Sequence, residues 1–308
     1  MRNILLISKK ELSRHLGIFR NVIYISLIVL VATSILFFSL SAVNGYQDVN
    51  AYMSGLIITL GFYWIAGVPF LIYMGSLTIG TVSNEFRKGT ILLILTRPVK
   101  RIEFFLGKFL GLFIYGSILN ITIILFVTSL TSLMLRLPSS IVISAYYASF
   151  SFIIYSCVVC AFIICFGLIL SVIVKSSRIS MVILFVFILS LLFLPLFLKQ
   201  ISPEYQNKYP DVAFLFGSTN IGISEILGIN IHPSVTTGLS HFSGIYKDNP
   251  SYKSRHYNYQ NIIYPEYILK KPLKILNIPF YLSVILMLIL ILIIFVFSFF
   301  IFKRKEFY

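Results

Sequence analysis

Six runs of nearly continuous apolar residues dominate the chain, at 22–43, 56–80, 109–135, 147–174, 179–198 and 280–302. At 1.5 Å of helical rise per residue each run reaches ~30 Å or more, the thickness of a bilayer's hydrocarbon core. The pattern therefore predicts an all-α integral membrane fold with six transmembrane helices. Residues 1–21 follow a different pattern: Leu5, Leu12, Leu16 and Phe19 fall on one side of a helix, Lys10 and Arg14 on the other. That arrangement predicts an amphipathic helix lying in the cytoplasmic interface of the membrane. The apolar run that follows is too long for a cleavable signal, and no small-residue cleavage site follows it. Residues 199–279 are polar and rich in Tyr, Asn, Ser, Pro and Gly. The expected organisation has three parts: an interfacial helix with spans one to five over 1–198, an extracellular insertion over 199–279, and the sixth span with a cytoplasmic tail over 280–308.

Composition agrees and removes alternatives. With 58% hydrophobic and 11% charged residues, the chain lacks the polar surface of a soluble domain, where about a quarter of residues are charged. The net charge of +15 suggests nucleic acid in a soluble protein, but here the bases cluster beside the apolar runs. Topology and acidic membrane lipids explain them, and no nucleic-acid partner is expected. Placing both termini in the cytoplasm puts 16 of the 25 Lys and Arg residues inside. The remainder are Arg136 and the bases of the long insertion, and long segments translocate largely regardless of charge. The expected location is the cell membrane.

The runs as drawn contain no Asp, Glu, Lys, Arg or His, whereas ion-coupled transporters commonly bury such groups as relays. No G-x-x-x-x-G-K-[ST] loop is present, so ATP hydrolysis by that route is not expected of this chain. Cys157, Cys160 and Cys165 all fall in the fourth run, where thiols act as small packing residues, and no metal site is expected. His232, His241 and His256 lie in the insertion without tight ligand spacing. Pro69 is expected to kink the second span, Asn120 to hydrogen bond between helices, and Gly107 and Gly111 to allow close helix packing.

The most informative stretch is 81–108, charged and wedged between the second and third runs. Arg87, Lys88, Arg97, Lys100, Arg101 and Lys108 face only Glu85 and Glu103, which places this loop in the cytoplasm. Gly89 is a natural helix stop, Thr90 a cap for a short helix over Ile91, Leu92, Leu93, Ile94 and Leu95, and Pro98 opens the next helix. Five aliphatic residues on so short an element need a surface to cover them.

Glu85, Gly89-Thr90, the Leu/Ile cluster, Arg97-Pro98, Arg101 and Gly107-Lys108 together resemble the signature of ABC-2 type transporter permeases. The resemblance is to the branch linked to multi-copper enzyme maturation in particular. It implies that the short helix is a coupling helix docking on a separate ABC ATP-binding subunit. The partner-binding residues would be Glu85, Arg87, Lys88, Gly89, Thr90, Ile91, Leu92, Leu93, Leu95, Arg97, Pro98 and Arg101. It also implies a homodimer, or a heterodimer with a second permease, and use as an exporter. ATP and Mg²⁺ would belong to the partner subunit, with no cofactor in this chain. The reading that competes with a permease is a non-transporting scaffold or channel whose extracellular insertion holds a partner.

Overall fold

The computed structural model describes residues 2–43, 60–87, 100–134, 139–174, 176–201 and 280–304. Helix α1 (Arg2–His15) is followed by α2 (Ile18–Val43), a π-helical turn (Leu60–Ile65), α3 (Val68–Arg87), α4 (Arg101–Met134), α5 (Ser139–Ile173), α6 (Ser177–Ile201) and α7 (Phe280–Arg304). The described residues are helical, without strands. They include six stretches long and apolar enough to cross a bilayer, as the hydropathy pattern predicts. The expected extracellular insertion lies outside the described residues.

The bundle has a centre and a periphery. The spanning part of α5 is 72% buried and that of α7 only 11%, so α5 is walled by protein while most of the apolar surface of α7 is left uncovered by the other described residues. The core joins α3, α4 and α5 through Phe70, Met74, Leu112, Ile123, Ile164 and Leu168. In a bilayer the hydrophobic effect does not press helices together, so close contact relies on small residues and shape. Three glycines show how. A Cβ on Gly75 would come within 2.6 Å of the Leu184 side chain of α6; one on Gly116 would reach 2.6 Å from Cys160 Sγ and the Met74 methyl; one on Gly167 would reach 2.9 Å from Thr78. Cys160 and Cys165 are buried packing residues, and the described residues contain no cluster of metal-ligating side chains.

The second span is broken, not merely bent at Pro69. Ala66 donates its amide to the Gly61 carbonyl at 2.9 Å, closing the wide turn, and α3 starts two residues later. Pro69 then occupies the first turn of α3, where its missing N–H costs nothing. Gly67 makes the junction possible: a Cβ there would sit 2.3 Å from the Phe62 carbonyl oxygen and 2.4 Å from that of Tyr63. Beside the break, an apolar cleft of about 110 Å³ opens between α3, α5, α6 and α7, with Ala66, Val159, Phe187 and Leu290 in its walls.

Antiparallel packing brings several segments to one end of the bundle. Asn3 of α1 donates to the Glu103 carboxylate of α4 at 3.1 Å, and Arg101 donates to the Lys303 carbonyl of α7 at 2.8 Å. Ser171, near the end of α5, donates to the Ile79 carbonyl of α3 at 3.0 Å. The N-terminal helix, both flanks of segment 88–99, the α5–α6 link and the end of α7 therefore share that end.

Gly67→Ala should lower the detergent melting temperature sharply, because the new methyl meets fixed backbone carbonyls. Gly17→Ala, with nothing within 4 Å of its Cβ position, should be nearly neutral. Equal melting temperatures for the two variants would contradict this account of the break.

Candidate functional site

At this shared end the chain buries an ion cluster. Lys108, in the second turn of α4 and 3% exposed, directs its ammonium at Glu11 of α1 and Glu85 of α3, each at 2.6 Å. These are short, charge-assisted hydrogen bonds, of the kind that hold geometry as well as charge. Glu11 is itself 3% exposed, with its other oxygen 2.9 Å from His15 Nε2. Arg14 approaches the same oxygen at 3.8 Å. One ammonium thus ties three helices together.

The His15 ring is oriented by Arg20, whose Nη2 lies 3.0 Å from Nδ1. A guanidinium only donates, so Nδ1 is the acceptor and Nε2 carries the proton given to Glu11. The His15 carbonyl also accepts from Arg20 and from Asn21, each at 3.2 Å. The α1–α2 corner is thereby stapled. The polar chain continues inward: Tyr73 donates to Asn21 Oδ1 at 2.9 Å, Tyr115 donates to the same oxygen, and the two phenol oxygens lie 2.8 Å apart. Tyr24 stacks on Tyr73 at a ring separation of 4.2 Å.

Glycines let α1 come close enough for these bonds. A Cβ on Gly107 would lie 2.7 Å from Ile7 Cβ, and one on Gly111 would lie 2.8 Å from both Glu11 Cβ and the Ser8 carbonyl. The close packing expected at this glycine pair is present, and its partner is α1. Burial alone would raise the Glu11 pKa; the hydrogen bonds from His15 and Lys108 and the nearby ammonium outweigh it and hold the carboxyl at about 2.

The residues singled out from sequence divide sharply. Glu85 is turned inward onto Lys108. Arg101 is exposed and bonded to the α7 terminus. Arg87 is the last residue of α3, and Lys88, Gly89, Thr90, Ile91, Leu92, Leu93, Leu95, Arg97 and Pro98 lie outside the described residues. Two expectations change. Lys108, left outside the third span as drawn at 109–135, is buried within that helix, which runs unbroken from Arg101; a base just before an apolar run reads as a juxtamembrane charge, which hid its burial. The hydrogen bond expected from Asn120 is not made: the side chain is fully buried, and neither amide atom has a partner among the described residues. In the sequence, Glu11 and His15 are masked by the apolar and basic stripes of α1. Their signal was the spacing Ser8, Glu11, His15, one helix face carrying polar groups, opposite Gly107 and Gly111.

The ABC-2 family transporter protein family matches residues 66–307, from the α3 junction to the C-terminal tail. The chain belongs to the ABC-2 transporter family. No curated protein matches it. With its six spanning helices, this ABC-2 protein is a multi-pass membrane permease subunit of an ABC transporter.

Lys108→Met should release α1, because removing one partner of a buried ion cluster costs about 3–5 kcal/mol through the charges left unpaired. The distance between spin labels at positions 13 and 100 should lengthen and broaden, and adding Glu11→Gln and Glu85→Gln should restore most of the narrow distribution. An unchanged distance in Lys108→Met alone would show that the cluster does not hold α1.

The same distance gives a pH test. The Glu11 pKa is depressed in the docked state, from 4.5 to about 2, so its contribution is complete above about 4.5 and is lost as pH falls toward 2. The docked distance should persist down to the upper value and disappear over that window. Release at neutral pH would contradict the assignment.

Proposed function

We propose that the chain forms the translocation pathway of an ABC exporter, paired with a second copy or a related permease, and is driven by separate ATP-binding subunits through segment 88–98. ATP and Mg²⁺ would be held by those subunits, and both termini of this chain would lie in the cytoplasm. The observation that carries this reading is the clamp across the base of the segment: Lys108 on α4 bonds Glu85 on α3, with α1 held by the same ammonium. A load applied between residues 88 and 98 enters two spanning helices whose near ends are bonded to each other. It is delivered to α3 and α4 as a unit, and from them to the buried α5.

Within this reading the charged residues have separate tasks. Glu85 acts inside the permease as half of the clamp, while Arg87, Lys88 and Arg97 set the register of the contact with the ATP-binding subunit. Ile91, Leu92, Leu93 and Leu95 fill an apolar groove on that subunit. Gly89, Thr90 and Pro98 set the ends of the short helix. The family match over most of the chain supports the association with an ATP-binding subunit.

Leu92→Asp places a charge at the centre of the apolar contact, and truncating a central anchor of this kind costs about 2 kcal/mol or more. The tagged variant should insert normally yet lose the co-purifying ATP-binding subunit and its ATPase activity. Co-purification equal to that of the unaltered chain would remove the coupling role from this segment.

A further inference from the structure

The face of α1 turned away from α4 carries two kinds of side chain. Leu5 and Leu6 of α1, with Leu16 of the link and Phe19 at the start of α2 beyond it, are 68%, 57%, 55% and 80% exposed in turn. Alongside them Lys9, Lys10 and Arg14 are exposed. Lys100, Lys303 and Arg304, on the neighbouring helix ends, are exposed at the same end of the bundle. Among the described residues, the acids there do not balance these bases. Glu11 and Glu85 are engaged by Lys108, and Glu103 accepts from Asn3 and from the Lys100 backbone amide at 3.1 and 3.2 Å.

Covalent geometry fixes where this surface lies. Only Leu16 and Gly17 separate α1 from α2, whose membrane-capable stretch begins at Phe19. The opposite face of α1 is docked on the first turns of another spanning helix through Glu11 and Lys108. The exposed bases and leucines are thus held beside the point where two spans enter the bilayer. A soluble acidic protein would complement the bases but leave Leu5, Leu6, Leu16 and Phe19 in water. An anionic bilayer surface satisfies both sets, since its acyl region takes the apolar side chains and its phosphates take the ammonium and guanidinium groups.

We propose that this end of the molecule is a binding surface for acidic phospholipid headgroups, with α1 as its principal element. Lys9 and Lys10 meet headgroup phosphates, and Leu16 and Phe19 enter the upper acyl region. Lys100, Lys303 and Arg304 extend the basic rim across the ends of α4 and α7. The assignment depends on the membrane location of the chain and not on the coupling role of segment 88–98.

The test uses the full-length chain in nanodiscs containing equal amounts of phosphatidylglycerol and phosphatidylcholine, followed by native mass spectrometry of the retained lipids. Phosphatidylglycerol should be retained preferentially. Lys9→Gln with Lys10→Gln should cut that preference by roughly tenfold, in line with the attraction of each base to an anionic surface, while Lys9→Arg with Lys10→Arg should preserve it. In a Trp64→Phe background, Phe19→Trp fluorescence should be quenched by phospholipids brominated on their acyl chains. Equal retention of the two lipids, or retention unaffected by the glutamine pair, would overturn the proposal. So would a glutamine pair that leaves lipid retention intact but loses a co-purifying protein, which would assign the surface to that protein. Loss of the preference in the arginine pair as well would mean that the effect comes from the fold of α1, and would also overturn it.

Discussion

The lower end of the bundle depends on one ammonium group. Lys108 is almost fully buried between two carboxylates from different helices, each at 2.6 Å. Neither carboxylate nor ammonium would be stable there alone, because an isolated charge in a low-dielectric setting loses its hydration without compensation. Once assembled, the three groups make one another's burial tolerable. The position of α1 is consequently tied to the distance between the end of α3 and the start of α4. Those are the two backbone points that flank the short apolar segment on which coupling is proposed to act.

The rest of the packing is arranged to let that group form. Helices inside a bilayer gain little from apolar contact alone, and close approach depends on small residues. Gly107 and Gly111 hollow the surface of α4 beside Lys108, so that the backbone of α1 lies directly on α4 and Glu11 reaches the ammonium. Gly116, one turn or so further along, brings α4 against Met74 of α3 and Cys160 of α5, and Gly75 and Gly167 bring α3 against α6 and α5. Glycines thus permit close approach on both sides of α4, toward α1 at the ion cluster and toward α3 and α5 in the most buried part of the bundle. Next to the cluster, Tyr73 and Tyr115 both donate to Asn21 Oδ1, which joins α2, α3 and α4.

Six spanning helices were legible because hydropathy over twenty residues is a strong, local signal, and the same signal placed the charged stretch between the second and third of them. The resemblance of that stretch to ABC-2 permeases led to the right family. What the sequence concealed was pairing across large separations. Lys108 and Glu11 are 97 positions apart, and nothing local distinguishes a lysine exposed near the end of a spanning helix from one that is buried and neutralised there. Glu11 was the stronger clue: an acid in a segment otherwise carrying Arg2, Lys9, Lys10, Arg14 and Arg20, three residues from Ser8 and four from His15. The break in the second span was half legible. Pro69 marked the place, but Gly67, whose Cβ would strike two carbonyl oxygens, is the residue that permits it.

An apolar trio of similar volume at positions 11, 85 and 108 would hold three helices together without the cost of desolvating charges, and replacements of this kind often leave stability equal or higher. The ionic arrangement therefore calls for a reason other than stability. Apolar packing is tolerant of sliding: a leucine shifted by an ångström finds other contacts. The Lys108 bonds are not, because displacing either carboxylate stretches a short charge-assisted bond to a buried ammonium, so the cluster has a narrow range of favourable geometry. At the base of a segment proposed to receive force, that stiffness is useful. On the proposed coupling role it would convert a small displacement of the segment into movement of α1, α3 and α4 together, where a softer contact would absorb it.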